Sequence, residues 1–493
     1  MKLLEQFKQA RRSGVPLIGI ETSDPTCLMD TILNAMNGSK ADKLIIQWDM
    51  VRTAVGRTDL GGVWIDAMCN GNDPMQVFGD PAMFLNYLQK MPEGGMVFML
   101  GTNRLIEQAS VVQGIWNLRD TFKGNGATLV MLGPIGWKMP GDIKDDIIVL
   151  SEPLPNKEQL TELVASLSED SKITIDKDAT EKAVDAVSGL SLFGAEQVIA
   201  MSLKKDGLSA EELWDRKRKA IEQTPGLSVW RGGETFADIG GYDNVKTFMK
   251  RLLHGNMPPK VILFIDEIEK AFAGTQGDTS GVSQDFHGTF LSWAQDNKMS
   301  GCIFIGPSGS GKTMVAHATG AEGGIPTIGF DVNAMKGMYQ GQSGGQFRSA
   351  LEIVRSVGQG NVMALATCNS FGSISPELKR RFKTGTFFFD LPTKKERMLI
   401  WDLCIKKFFI SDTKIPADDN WTGAEISQCC EVAYRLNCSL DEAAQYIVPV
   451  AESGAQALEA LRKQASGCFT DASKVGRYKY EQSVLATPRR RVA

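Results

Sequence analysis

What this chain has little of narrows what it can be. Its 493 residues include three histidines, His254, His287 and His317, and no two stand at metal-ligand spacing. The nine cysteines form no CxxC, so neither a disulfide framework nor a cysteine zinc site is indicated. Net charge is -4, from 54 basic and 58 acidic residues. That lacks the excess of a general nucleic-acid coat and leaves room only for a local basic stripe. No apolar run approaches the ~18 residues needed to span a bilayer. The opening MKLLEQFKQARRSG reads as an amphipathic helix without the apolar core of a signal peptide. Together these absences predict a soluble, reduced, cytoplasmic chain. What remains is ordinary globular composition, 43% hydrophobic and 23% charged, at a length for about three domains of roughly 150 residues.

Short apolar runs alternate with helical patterns, which predicts parallel α/β layers. In the first half the strand candidates are residues 15–22, 43–49, 61–67, 94–101, 127–133 and 146–154, followed by helical stretches over 157–167 and 178–218. TPGLSVWRGGET (224–235) carries a proline, three glycines and no periodicity, and reads as a domain boundary. Strand candidates resume at 261–266, 301–306, 326–332, 361–369 and 384–392, and 393–493 reads as helical. The halves look like diverged copies of one plan. DIIVLSEPLPNKEQLTELV (146–164) parallels TGTFFFDLPTKKERMLIWDL (384–403), and SLFGAEQVIAMSL (191–203) parallels NWTGAEISQCCEV (420–432).

GPSGSGKT fits an eight-position phosphate loop: Gly306, Pro307, Ser308, Gly309, Ser310, Gly311, Lys312 and Thr313. It follows an apolar strand and opens a helix, as that chemistry requires. Its amides and the helix N-terminus would cradle phosphate oxygens, with Lys312 at the β- and γ-phosphates and the Thr313 hydroxyl on Mg²⁺. VILFIDEIEKAF supplies the acidic partner. Asp266 would hold the metal's water shell, and Glu267 would polarise the attacking water as general base. Asn369, at the end of NVMALATCN, could orient the same water. The first half has no such loop: IETSDPTCLMD (20–30) lies in its place without the glycines or the lysine.

The order is unusual, because the Asp-Glu strand comes about 40 residues before the loop rather than after it. A parallel sheet permits this, since each strand-helix unit starts and ends on the same edge. The unit can be spliced ahead while both motifs stay at one active edge.

With these motifs placed, the chain resembles the AAA+ ATPases of the AAA clade. FADIGGYDNVKTFMKR (236–251), DEIEKAFAG, Asn369, PELKRRF and TGAEI carry the likeness. It is similar in particular to the plastid and cyanobacterial open-reading-frame AAA ATPases, which have a degenerate N-terminal ATPase-like domain. The resemblance implies ATP and Mg²⁺ as ligands and a homo-oligomeric ring, usually a hexamer, with ATP at subunit interfaces. Asp238, Gly240 and Gly423 would then lie by the adenine, and Ala424 stands where the clade has no sensor arginine. Arg380 or Arg381 would reach a neighbour's γ-phosphate. Tyr339, with Lys336 beside it, corresponds to the pore loop that grips a threaded polymer. Two departures stand out: the transposed Asp-Glu unit, and an arginine-finger stretch about two residues short.

The expected fold is therefore an α/β P-loop NTPase, an AAA+ core of permuted motif order with a helical lid, preceded by a degenerate ATPase-like α/β domain with its own helical subdomain. Its expected boundaries are 1–155 for the degenerate domain, 156–225 for its helical subdomain, 226–235 for a linker, 236–392 for the ATPase core, and 393–493 for lid and C-terminal helices. The expected function is an ATP-driven ring that remodels or translocates a protein. A nucleic-acid motor and an ATP-gated assembly scaffold are the alternatives.

Overall fold

The structure, a computed structural model, describes residues 2–36, 43–137, 139–173, 175–204, 207–272, 282–336, 343–370, 372, 374–411 and 414–480. It divides into two compact units, one of residues 1–220 with 338–356 and the other of 221–337 with 357–493. The first contains the six strands β1 Leu17–Glu21, β2 Ile45–Asp49, β3 Thr53–Gly56, β4 Met96–Leu100, β5 Thr128–Gly133 and β6 Ile148–Ser151. Their order across the sheet is β3-β2-β4-β5-β1-β6. All neighbours run parallel except β3, which pairs antiparallel with β2 at the edge.

The inner strands are mainly apolar because helices cover both faces of a parallel sheet. Alternation then sorts the side chains. Leu17, Ile46, Trp48, Val97, Met99, Leu129 and Met131 enter one core, and Ile18, Ile20, Ile45, Phe98, Val130 and Leu132 enter the other.

A small helical body follows, made of the helices Lys157–Ser171, Lys177–Val187, Leu192–Ser202 and Ala210–Glu222 around Leu160, Val184, Val187, Ile199 and Leu213. The pair β7 Leu203–Lys204 and β8 Gly207–Leu208 interrupts what the sequence reads as one helical stretch.

The second unit contains β9 Leu227–Val229, β10 Val261–Ile265, β11 Ser300–Ile305, β12 Thr327–Phe330, β13 Val362–Cys368, β14 Gly385–Phe388 and β15 Thr470–Asp471. Its sheet order is β15-β14-β11-β13-β10-β12-β9, parallel except for β9 on β12. Stripped of β15, the sheet has the same spatial plan as the first. Here β14, β11, β13, β10, β12 and β9 stand in the places of β6, β1, β5, β4, β2 and β3. The route differs. The first unit reaches the β4 place after the β1 and β2 places, whereas the second reaches the corresponding β10 before either.

Three further expectations need correction. Residues 61–67 form no strand but part of the helix Asp59–Cys69, whose buried Gly61, Trp64, Ile65 and Cys69 follow helical spacing and whose N-cap is Thr58. The 226–235 stretch is not all linker. Leu227 and Val229 are buried in β9, a strand too short to reveal its period. In the C-terminal region, Thr470–Asp471 adds a parallel strand to β14. Among the described residues, 343–356 group by contact with the first unit, where the helix Ser343–Val357 brings Gly345 against Gly136. A Cβ on Gly345 would lie 2.7 Å from the Gly136 carbonyl oxygen.

Candidate functional site

Strand β11 runs directly into Gly306–Thr313, and the helix Lys312–Gly323 begins at the loop's lysine. Gly309 sits at φ +78°, where an L side chain is strained, and a Cβ there would stand 3.0 Å from Ala424 Cβ and Thr422 Oγ1. The loop can therefore turn tightly under the lid. Ser310 closes the turn by donating its hydroxyl to the Pro307 carbonyl at 2.9 Å. Ser308 is exposed at the loop's tip.

Lys312 is buried, and its Nζ donates to the carbonyls of Gly306 and Pro307 at 2.9 and 2.7 Å, with Ser310 Oγ at 3.4 Å. Burial pulls its pKa down to about 8 against the opposing pull of nearby acids. A buried ammonium met only by neutral oxygens is costly in isolation. With the helix N-terminus beside it, this arrangement fits an anionic ligand.

Two strands away, β10 ends at Ile265 just before Asp266 and Glu267, and β13 between them ends at Cys368 just before Asn369. The sheet thus brings together side chains that lie about 100 residues apart. Thr313 Oγ1 donates to Asp266 Oδ1 at 3.4 Å. Asn369 Nδ2 donates to Glu267 Oε1 at 3.0 Å. Glu267 also pairs with Lys270 at 2.8 Å. Its backbone is left-handed, φ +44°, a conformation that costs an ordinary residue ~1–2 kcal/mol. Something must hold it there.

Thr367 holds it, and Glu269 holds the facing Asn369; local sequence patterns singled out neither. Thr367 Oγ1 donates to Asp266 Oδ1 at 2.5 Å and accepts the Glu267 N–H at 2.8 Å. The nearly buried Glu269 accepts the Asn369 N–H at 2.9 Å. Only a polar residue inside an apolar strand could have flagged Thr367.

Thr313 and Asp266 offer hard oxygens of the kind Mg²⁺ prefers. Among the described residues no group of three or more His, Cys, Asp or Glu side chains could hold a metal alone. The donor set therefore fits an ion shared with nucleotide phosphates. A cavity of about 560 Å³ also borders Asp266 and Glu267, walled by Trp230, Phe264, His317 and Phe330. The Trp230 and His317 rings stack at 3.8 Å there. None of the loop residues lines it, so it is separate from the phosphate cradle.

The lid approaches through the helix Gly423–Leu436: Ala424 N donates to the Gly309 carbonyl at 3.2 Å, and a Cβ on Gly423 would stand 4.0 Å from that oxygen. Gly240 packs against Ile400 of the helix Lys394–Lys407, where a Cβ would come within 2.9 Å of the Ile400 nitrogen. The Asp238 carboxylate caps its own segment by accepting from Thr235 N at 2.8 Å. Arg381 donates to Gln295 Oε1 at 2.8 Å, while Arg380 is exposed. Lys336 ends the helix Val332–Lys336. Tyr339 lies outside the described residues, as does the side chain of Lys336.

In the first unit the loop after β1 is chemically opposite. Asp24 caps the helix Pro25–Asn34 and accepts from Cys27 N at 3.1 Å, and Pro25 removes one amide. Glu152 accepts from Thr22 at 2.5 Å, with its pKa raised by burial. Carboxylates occupy the place where a phosphate loop would present amides and a lysine.

Comparison with known proteins matches the chain to three family models. Residues 3–151 match the family "SpoVK-like AAA ATPase, N-terminal domain", 157–224 match "SpoVK-like AAA ATPase, second domain", and 302–359 match "ATPase family associated with various cellular activities (AAA)". The AAA domain-containing protein ycf46 of Trieres chinensis is 22% identical, over 87% of this chain and 88% of its own. The ycf46 protein of Guillardia theta is 20% identical, over 94% and 95%. Among solved structures, the AAA domain of FIGL-1 is 16% identical with a TM-score of 0.31, covering 50% of this chain and 94% of its own. With SpoVK-like N-terminal and second domains ahead of a phosphate-loop core, the chain belongs to the AAA ATPases.

Proposed function

We propose that this protein hydrolyses ATP to ADP and phosphate at the Gly306–Thr313 site and uses the energy, as a homo-oligomeric ring, to remodel or translocate a protein partner. One observation carries the hydrolytic part. Lys312, Thr313, Asp266, Glu267 and Asn369 converge on one sheet edge although the chain visits them in an unusual order. Convergence along a transposed route supports the reading that the β10 unit was moved in the chain while its role in the site was kept.

In that site the loop amides and Lys312 bind the triphosphate, and the lid helix closes over the loop through Ala424. Thr313 and Asp266 would hold Mg²⁺, which would neutralise charge on the β- and γ-phosphate oxygens. Glu267, oriented by Asn369, takes a proton from the attacking water. Arg381 is committed to Gln295, so Arg380 is the better candidate to cross to a neighbour's γ-phosphate. The family's pore-loop aromatic corresponds to Tyr339, which supports a threaded polypeptide as the client. The first unit, with acids where the phosphate cradle would be, serves as a non-hydrolysing platform.

Glu267→Gln tests the core of this reading. The variant should bind a fluorescent ATP analogue as the parent does and hydrolyse ATP at least ~100-fold more slowly. Turnover near the parent's rate would place the base elsewhere and end the assignment of β10.

A further inference from the structure

The chain places one hydroxyl inside an otherwise apolar strand and uses it twice. β13 reads VMALATC, and Thr367 within it is 2% exposed. A buried hydroxyl needs partners, and valine, of nearly the same shape, would fill the space without that demand. Both partners of Thr367 belong to the Asp-Glu pair on the neighbouring strand: Asp266 Oδ1 accepts its proton, and Glu267 N–H donates to its oxygen. We infer that Thr367 is a positioning residue that fixes the metal-side carboxylate and the catalytic carboxylate relative to each other through a single oxygen.

The geometry makes the two effects inseparable. By accepting the Glu267 amide, Thr367 holds that residue in its left-handed turn, φ +44°. That turn directs the Glu267 side chain toward Asn369 Nδ2, 3.0 Å away. By donating to Oδ1, the same hydroxyl fixes the rotamer in which Asp266 faces Thr313 at 3.4 Å. Loss of the oxygen frees the backbone turn and the carboxylate rotamer together. Neither Lys312 nor the loop's backbone amides bond to it, so ground-state nucleotide binding should survive while turnover falls.

This inference rests on the ATPase reading above, and its test separates the two. Full-length Thr367→Val, Thr367→Ser and Thr367→Ala are compared for steady-state turnover, KM for ATP, binding of a fluorescent ATP analogue, and the Mg²⁺ concentration giving half-maximal rate. Ser and Ala differ by the one oxygen in question, so they carry the comparison if the valine variant does not fold. A misplacement of this kind is worth roughly 10- to 100-fold. The expected result is therefore a kcat lowered by about that factor in Val and Ala with KM within about 3-fold. Half-maximal Mg²⁺ should rise in both, and Ser should restore kcat to within about 3-fold of the parent. Equal losses in Ser and Ala, or a parental kcat in Ala, would overturn the positioning role while leaving the ATPase reading intact. A parent that neither binds nor hydrolyses ATP would overturn that reading, and this inference with it.

Discussion

At Lys312 the charge that a phosphate would meet is itself titratable close to neutral pH. Its free-state pKa is lowered to about 8 by burial, and a bound polyphosphate must raise it, because the anion favours the ammonium. The sign follows directly. Below pH 8 the lysine is already charged and affinity should be level. Above pH 8 a proton must be taken up on binding, so Kd should rise by up to ~10-fold per unit. Titrating a fluorescent ATP analogue from pH 7 to 9.5 checks this. A flat profile would mean that Lys312 does not contact the phosphates. Lys312, Thr313, Asp266 and Glu267 were legible in the sequence because their chemistry is written in short local runs beside a strand. Thr367 and Glu269 were not, since their partners lie on another strand about 100 residues away and no local pattern records a cross-strand hydrogen bond.

The helix Ala210–Glu222 carries a second buried lysine. Lys217 is 1% exposed, donates to the Asp185 carbonyl at 3.0 Å and sits over the Trp214 ring at 4.6 Å. Burial lowers its pKa to about 7, against ~10.4 in an unfolded chain. Between those values the unfolded state binds more protons, so stability should rise with pH across that window, by up to ~1.4 kcal/mol per unit. Below pH 7 the cost of charging is fully present. Thermal melts of Lys312→Ala, which removes the other shifted lysine, should therefore climb from pH 6.5 to 9.5. The double variant Lys312→Ala with Lys217→Met should melt at a flatter series of temperatures, and parallel slopes would refute the role of Lys217. Amphipathic periodicity made such helices legible, and fully apolar runs did the same for the inner strands. Legibility failed where length was short or composition misleading. VWI in Asp59–Cys69 looks strand-like although its burial is helical, and three residues of β9 cannot display a period.

For the molecule as a whole, the contrast between the two units predicts one nucleotide per chain. Calorimetry with the parent should give a stoichiometry near one, and Lys312→Ala should abolish binding entirely. Residual binding in that variant would mean that the first unit holds nucleotide despite Asp24 and Glu152. If Arg380 acts across an interface, turnover per chain should rise with protein concentration until the oligomer is complete. Mixing Lys312→Ala with Arg380→Ala should then restore activity that neither parent has, because an arginine finger is worth ~10³-fold or more. Concentration-independent turnover without rescue would remove the shared site.

The order in which the second sheet is threaded has a consequence in time. β10 and β11 are made one after the other, yet they never touch; each pairs with β13, more than 50 residues downstream of either. Until Val362–Cys368 emerges from the ribosome, β11 has no neighbour and β10 has at most β12. Two apolar strands with open edges must wait, a state prone to pairing with the wrong chain. β13 is thus the keystone of assembly as well as the strand that carries Thr367. Stalling synthesis before it should leave a nascent chain that binds chaperones and resists neither protease nor aggregation, and extending synthesis until β13 and β14 have both emerged should let the strands from β14 to β9 pair.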